Sequence, residues 1–148
     1  MSNKLKDILF QIDQREFATK TGYEKHLKMQ KIVIENGALQ GDASICAEIA
    51  SRPELLKFFG SNSKTEVPIA GYINDRFISR RIDRLVIDDK EHNVYVMDYK
   101  TDIDKTTFRE KYNKQLNEYA ALLKSIYPEY KVFCYILWLN DFTLEKIS

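Results

Sequence analysis

Cysteine is nearly absent from this chain: Cys46 and Cys134 are the only two in 148 residues, far apart and without a CxxC pairing. They cannot supply a four-cysteine zinc site or an iron–sulfur cluster, and they do not outline a secreted disulfide scaffold. An excess of charge is also lacking. Twenty-three basic residues against twenty-two acidic ones leave a formal charge of +1 and a pI near 7.7, which excludes a polybasic nucleic-acid coat. The longest apolar run, 132–139, falls far short of the roughly 20 residues a membrane-crossing helix needs. The first residues, Met1-Ser2-Asn3-Lys4-Leu5-Lys6-Asp7, lead into no apolar stretch of signal-peptide type. The expectation is therefore a cytoplasmic protein without a membrane partner. None of the five glycines opens a G-x-x-x-x-G-K-S/T loop, which excludes ATP hydrolysis by that route and a nucleotide cofactor held in that way.

What is present is the balance of a folded domain. Hydrophobic residues make up 44%, aromatics 12% and charged residues 30%, which excludes a disordered tail, a collagen-like repeat and a mucin-like stalk. The length suits one domain with its own core. The first 60 residues read as helix. Leu5, Ile8, Leu9 and Ile12 recur at helical spacing, as do Tyr23, Leu27, Gln30 and Ile34 in a stretch that Gly37 would stop. A third segment, 42–59, carries Ile45, Ile49, Leu55, Leu56 and Phe59, with Pro53 starting a new turn or helix. Residues 60–63 are loop-like in composition.

The character then changes. Segments 65–72, 77–87 and 93–101 are rich in Val, Ile, Tyr and Phe and read as strands, with hairpin turns at Asn74-Asp75 and at 88–93. Thr107-Phe108-Arg109-Glu110 fits a capping box. Phe108, Tyr112, Leu116, Tyr119, Leu123 and Ile126 follow at helical spacing, and Pro128 ends that helix. Segment 132–139 suits a buried central strand. Helices, three strands, a long helix and a strand make a mixed α+β or α/β domain without repeats.

Chemistry concentrates at the end of the third strand. Period-2 alternation puts Asp98 and Lys100 on one face, about 6.6 Å apart along the strand. If the preceding turn centres on Lys90 and Glu91, Val86 lies opposite Tyr95 and Asp83 opposite Asp98. Like charges so placed repel. Either one carboxylate is protonated, or a cation sits between them, or the register differs. A divalent metal suits such hard oxygen ligands, and Lys100 beside it would orient a water or stabilise charge on a phosphate. The plainer alternative pairs Asp83 with Arg81 or Arg84 and leaves Lys100 a solvated edge residue.

Four strings stand in a characteristic order: Glu66-Val67-Pro68-Ile69-Ala70-Gly71, Ile82-Asp83-Arg84-Leu85, Met97-Asp98-Tyr99-Lys100-Thr101 and Gln115-Leu116-Asn117-Glu118-Tyr119. Together they resemble the PD-(D/E)XK nucleases, and more narrowly the RecB/AddA-type nuclease domain of bacterial double-strand-break repair helicase–nucleases. The closing run 132–138 is similar to the last strand of AddA chains, and Gly22-Tyr23-Glu24-Lys25-His26 matches the family's helical G-x-x-x-H motif. The resemblance covers roughly residues 15–148. It implies a mixed central sheet flanked by helices, with residues 1–60 a helical part carrying the histidine and 61–148 the catalytic core of one domain.

It also implies a function: a Mg2+- or Mn2+-dependent deoxyribonuclease of DNA repair and recombination, acting on single-stranded DNA ends delivered by a helicase domain or subunit. His26, Asp83, Asp98 and the Tyr99 carbonyl would hold the metal, and Lys100 would position or activate the attacking water. Gln115 and Tyr119 share a helix face and would contact the DNA backbone or support the site, while Tyr119 could equally be core. Glu66 would hold Lys100 or a basic neighbour, in a structural or a catalytic role. His92 matches nothing and is expected in solvent. Where the family has glycine three residues before the strand aspartate, this chain has Arg80. Arg80, Arg81 and Arg84 would then form a DNA track, with Arg81 on the Asp83 face and Arg80 and Arg84 on the other. Arg76, with these three, brackets Asp83. The alternatives are a nuclease-like module that binds DNA or a partner without cutting, and an RNA-cleaving enzyme.

Overall fold

The structure, a computed structural model, describes residues 20–148; the Leu5–Ile12 periodicity lies outside them. Helix α1 spans Lys20–Gln30 and is followed by a small hairpin of β1 (Val33–Glu35) and β2 (Ala38–Gln40). The expectation that the helix continues through Ile34 to Gly37 is thus corrected. Its last turn tightens, with Lys31 N bonding Lys28 O and Ile32 N bonding Met29 O, both at 3.2 Å. Asn36 and Gly37 then take φ of 53° and 78°, the pair of positive values that a two-residue type I′ hairpin turn requires. Asn-Gly was the signal for this hairpin, and it outweighs the helical spacing of Ile34.

Helix α2 (Ala43–Ala50) starts where Asp42 Oδ1 accepts the Ile45 N–H at 3.1 Å, so one otherwise unsatisfied donor is capped. Ile45 and Ile49, one turn apart, bury its inner face. Pro53 opens a 3₁₀ turn, Pro53–Phe58, as its fixed φ favours.

Five strands form the main sheet in the order β3-β4-β5-β6-β7: β3 Ser63–Ile73, β4 Arg76–Asp88, β5 Asn93–Lys100, β6 Lys131–Trp138 and β7 Thr143–Lys146. The first three are an antiparallel meander, β6 runs parallel to β5, and β7 returns antiparallel. A parallel neighbour needs a crossover, which helix α3 (Arg109–Ile126) provides. The capping box expected at Thr107 does not form. Thr107 donates its hydroxyl to the Asp104 carboxylate instead, and the helix begins two residues later without a side-chain cap. The Asp104 carboxyl is held low by the hydroxyls and N–H groups of Thr106 and Thr107.

The sheet carries a core on each face. Ile69, Ile78, Ile82, Val94, Val96 and Ile136 pack against Leu116, Tyr119 and Leu123 of α3. Val86, Met97, Tyr99 and Leu137 pack against Met29, Ile45, Ile49, Phe58 and Phe59 from the N-terminal elements. The result is a mixed sheet between helical layers, the α/β class expected. Gly71 lies under α3, where a Cβ would stand 2.9 Å from Leu122 Cδ2 and oblige that side chain to shift. Strand β7 was not anticipated, since four residues with one alternation carry little periodicity. Among the described residues no helix is long and apolar enough to cross a membrane.

Candidate active site

The β4–β5 turn fixes everything downstream. Asp88 Oδ1 accepts the N–H groups of Lys90 and Glu91, each at 3.1 Å, and pairs Asp88 with Asn93. Val86 therefore faces Tyr95, and the ladder runs back to Arg84 opposite Met97. Asp83 and Asp98 come next, as the hairpin arithmetic expects. There the ladder opens: the Tyr99 N–H donates to Asp83 Oδ2 at 2.8 Å rather than to the backbone of β4. The β3–β4 ladder skips the same place, passing from Thr65–Arg84 to Val67–Ile82. The skipped residue on β3 is Glu66, with φ of 53°, a left-handed conformation that costs a non-glycine residue about 1–3 kcal/mol. Backbone strain thus sits at the point where the carboxylates meet.

This opening also shifts the alternation of β4. Ile78 and Ile82 face α3, and so does Leu85, whereas Val86 faces the N-terminal layer. Arg80 and Arg84 consequently lie on opposite faces, which corrects the expected grouping. Arg80 reaches Glu118 on α3 at 3.0 Å. Arg84 turns the other way and is 1% exposed. Its Nε donates to Tyr99 Oη at 2.7 Å, its Nη2 to Met29 O at 2.8 Å and Ile32 O at 2.9 Å, and its Nη1 to Ser63 Oγ at 3.0 Å. The guanidinium also lies 4.4 Å from the Phe59 ring centre. Arg84 is a strut that caps the end of α1 and ties it to β5; it does not belong to a surface track.

On the α3 side the polar residues form a connected set. Lys100 Nζ stands 2.8 Å from Asp98 Oδ2, donates to Gln115 Oε1 at 3.0 Å and lies 4.1 Å from the Tyr112 ring centre. Gln115 Nε2 donates to Tyr119 Oη at 2.9 Å, and Tyr119 donates to Arg81 O at 3.2 Å. With Tyr119 only 2% exposed, this pair supports the lysine, which was one of the two roles expected. Tyr112 is a member of the set that the sequence reading placed only at helical spacing. Its place one turn before Gln115 on the same helix was the available signal.

Asp98 is 3% exposed, and its Oδ2, although close to Lys100, makes no aligned hydrogen bond. That oxygen is compensated by the charge of the Lys100 ammonium and retains a lone pair for a further ligand. Asp83 responds to the same crowding. Burial, and then the charge of Asp98, push its carboxyl up to about 8, because two carboxylates in one dry site cannot both ionise easily. The plainer alternative, with Asp83 paired to Arg81 or Arg84 and Lys100 solvated, is not what the fold builds. Burial likewise pushes Tyr99 up to about 12 and raises Tyr119, which also feels both aspartates.

Other expected residues lie apart. The His26 ring meets the Tyr99 ring edge-on at 5.7 Å, on the face of β5 opposite to Asp98. Among the described residues no three His, Cys, Asp or Glu side chains gather as metal ligands. Glu66 holds a basic neighbour, Arg81, at 3.8 Å and accepts from Gln30 Nε2 at 3.0 Å, rather than reaching Lys100. His92 is exposed in its turn and stacks on Tyr130. Arg76 lies exposed at the tip of the β3–β4 hairpin.

The donor set fits a hard divalent cation in part: two crowded carboxylates, one of them pushed toward its neutral form, meet beside a lysine. No protein-family model and no curated protein compared with this chain matches it.

Proposed function

We propose that this chain is a divalent-metal-dependent DNA nuclease of the PD-(D/E)XK type. The observation that carries the reading is the meeting of Asp83, Asp98 and Lys100 where the β4–β5 ladder opens. The order of elements supports it as well: a helix, three antiparallel strands, a crossover helix and a strand parallel to the third is the arrangement the family resemblance implies. Asp83 and Asp98 would hold Mg2+ or Mn2+, and that ion, when bound, supplies charge stabilisation at the phosphate.

The chain's own groups do the rest. Lys100, fixed between Asp98 and Gln115, orients the attacking water and offers its ammonium to the phosphoryl oxygens. Tyr119 anchors Gln115 to the β4 backbone and so keeps the ammonium aimed. Attack by the water oxygen on phosphorus breaks the bond to the 3′ oxygen and leaves a 5′ phosphate and a 3′ hydroxyl. Single-stranded DNA ends, fed by a helicase domain or subunit of a repair complex in the cytoplasm, are the substrate this reading implies.

A second reading, a nuclease-like module that binds without cutting, draws on the packing of the His26 ring against Tyr99 and on the Arg80–Glu118 pair beside the site. One assay separates the two: cleavage of single-stranded DNA with Mg2+ or Mn2+ by the parent and by Lys100→Ala. The enzyme reading expects metal-dependent cleavage that falls about 100-fold or more in the variant. No cleavage by the parent sinks it.

A further inference from the structure

The β3–β4 hairpin reaches well past the opening at Glu66 and Asp83, to a turn at Asn74 and Asp75 with φ of 49° and 64°. One face of this extension is covered by α3: Ile69, Ile78 and Ile82 belong to that core, and Gly71 lies against Leu122. No element among the described residues covers the opposite face. Along it the cross-strand pairs Tyr72–Phe77, Ala70–Ser79 and Pro68–Arg81 follow one another toward Glu66 and Asp83, and all six residues are exposed. Tyr72 is 76% and Phe77 62% exposed, with ring centres 5.5 Å apart in an edge-to-face pair.

We propose that this face is a binding track for single-stranded nucleic acid, with Tyr72 and Phe77 as its base-stacking end. Stacking on exposed aromatic faces is how strands are held without regard to sequence. Between the rings and the Glu66–Asp83 opening the stripe has no carboxylate. Its small central residues leave room for a backbone, and its one charge is the guanidinium of Arg81. That guanidinium is only loosely engaged, at 3.8 Å from Glu66 with its side chain 67% exposed, so it is free to meet a phosphate. From Phe77 to Asp83 is about 20 Å of strand, enough for a few nucleotides of extended chain. A peptide adding to the β3 edge is the less suited occupant, because Pro68 removes a donor from that edge.

The inference does not depend on the nuclease reading, because the track lies on the face away from α3 whereas Lys100 and Gln115 lie on the α3 side. Its test is binding: fluorescence anisotropy of a labelled twelve-residue oligothymidylate in EDTA at low salt, using the full chain. The parent should bind. Tyr72→Ala/Phe77→Ala should weaken binding about tenfold or more, with Tyr72→Phe/Phe77→Tyr restoring it. Arg81→Ala should flatten the salt dependence. Ile103→Ala, which removes an apolar side chain 90% exposed elsewhere, should bind as the parent does. Equal binding by the double alanine variant, or no binding by the parent, overturns the proposal. So does binding of blunt duplex that is as tight and as sensitive to the tip variant. Loss of binding at the tip in a protein that never cleaves DNA would sustain the track and sink the nuclease reading alone.

Discussion

Asp83 should make the stability of this domain depend on pH when no divalent cation is present. Unfolded, its carboxyl titrates near 3.8; folded, it is pushed up to about 8 by burial and by Asp98. Between those values the unfolded chain has released a proton that the folded chain keeps. The folded state binds more protons, so stability falls as pH rises through that window and levels off above about 8. At about 1.4 kcal/mol per pKa unit, the whole effect is at most roughly 5–6 kcal/mol. The carboxylates held low elsewhere do not mask it. Asp42, capping α2, and Asp141, paired with Lys105 and held near 2, titrate below the window.

Urea unfolding in EDTA from pH 5 to pH 8 should show the parent losing about 2 kcal/mol or more. Asp83→Asn should be nearly flat and more stable than the parent at pH 8, because its amide oxygen can still accept the Tyr99 N–H. A divalent cation reverses the order. Mg2+ or Mn2+ at 100 times its dissociation constant should stabilise the parent by about 2.7 kcal/mol. The gain should be larger at pH 8 than at pH 5.5, since the ligand must be charged, and absent from Asp83→Asn. A parent whose stability is flat or rising from pH 5 to 8 without metal would refute the reasoning, as would an unchanged slope in Asp83→Asn.

Other substitutions probe the supports. Arg84→Ala strands Tyr99 Oη and the carbonyls of Met29 and Ile32 without their donor; urea unfolding should show a loss of about 3–5 kcal/mol. Tyr119→Phe breaks the link from Gln115 to Arg81 O. It should cost about 1 kcal/mol of stability and, by the assay with single-stranded DNA, lower the cleavage rate without weakening binding of the oligonucleotide in EDTA. Gly71→Ala crowds Leu122 Cδ2 and should destabilise by about 1 kcal/mol; adding Leu122→Ala should show non-additivity in a double-mutant cycle.

Much of this was legible in the chain. The order of strands and the long crossover helix follow from local periodicity, and the Asp88–Asn93 turn gives the register that sets Asp83 against Asp98, because an antiparallel hairpin permits only one pairing once its turn is fixed. The resemblance to PD-(D/E)XK nucleases likewise rests on residues in order. The small β1–β2 hairpin was also written in Asn36-Gly37, but a helical spacing that happened to include Ile34 competed with it. The capping box at Thr107 failed because Asp104, three residues earlier, offered the hydroxyl a charged acceptor.

What the sequence by itself determined is therefore the α/β class, the antiparallel meander and the approach of the two aspartates, all consequences of short-range spacing. Only the tertiary structure decided which face each arginine takes. Period-2 alternation holds as long as the ladder is regular, and it breaks where Glu66 turns left-handed and Asp83 accepts the Tyr99 N–H. That local break sends Arg84 into the core and Arg80 to α3, and leaves Arg81 outside. These placements depend on strands and helices distant in sequence packing together, which no local pattern encodes.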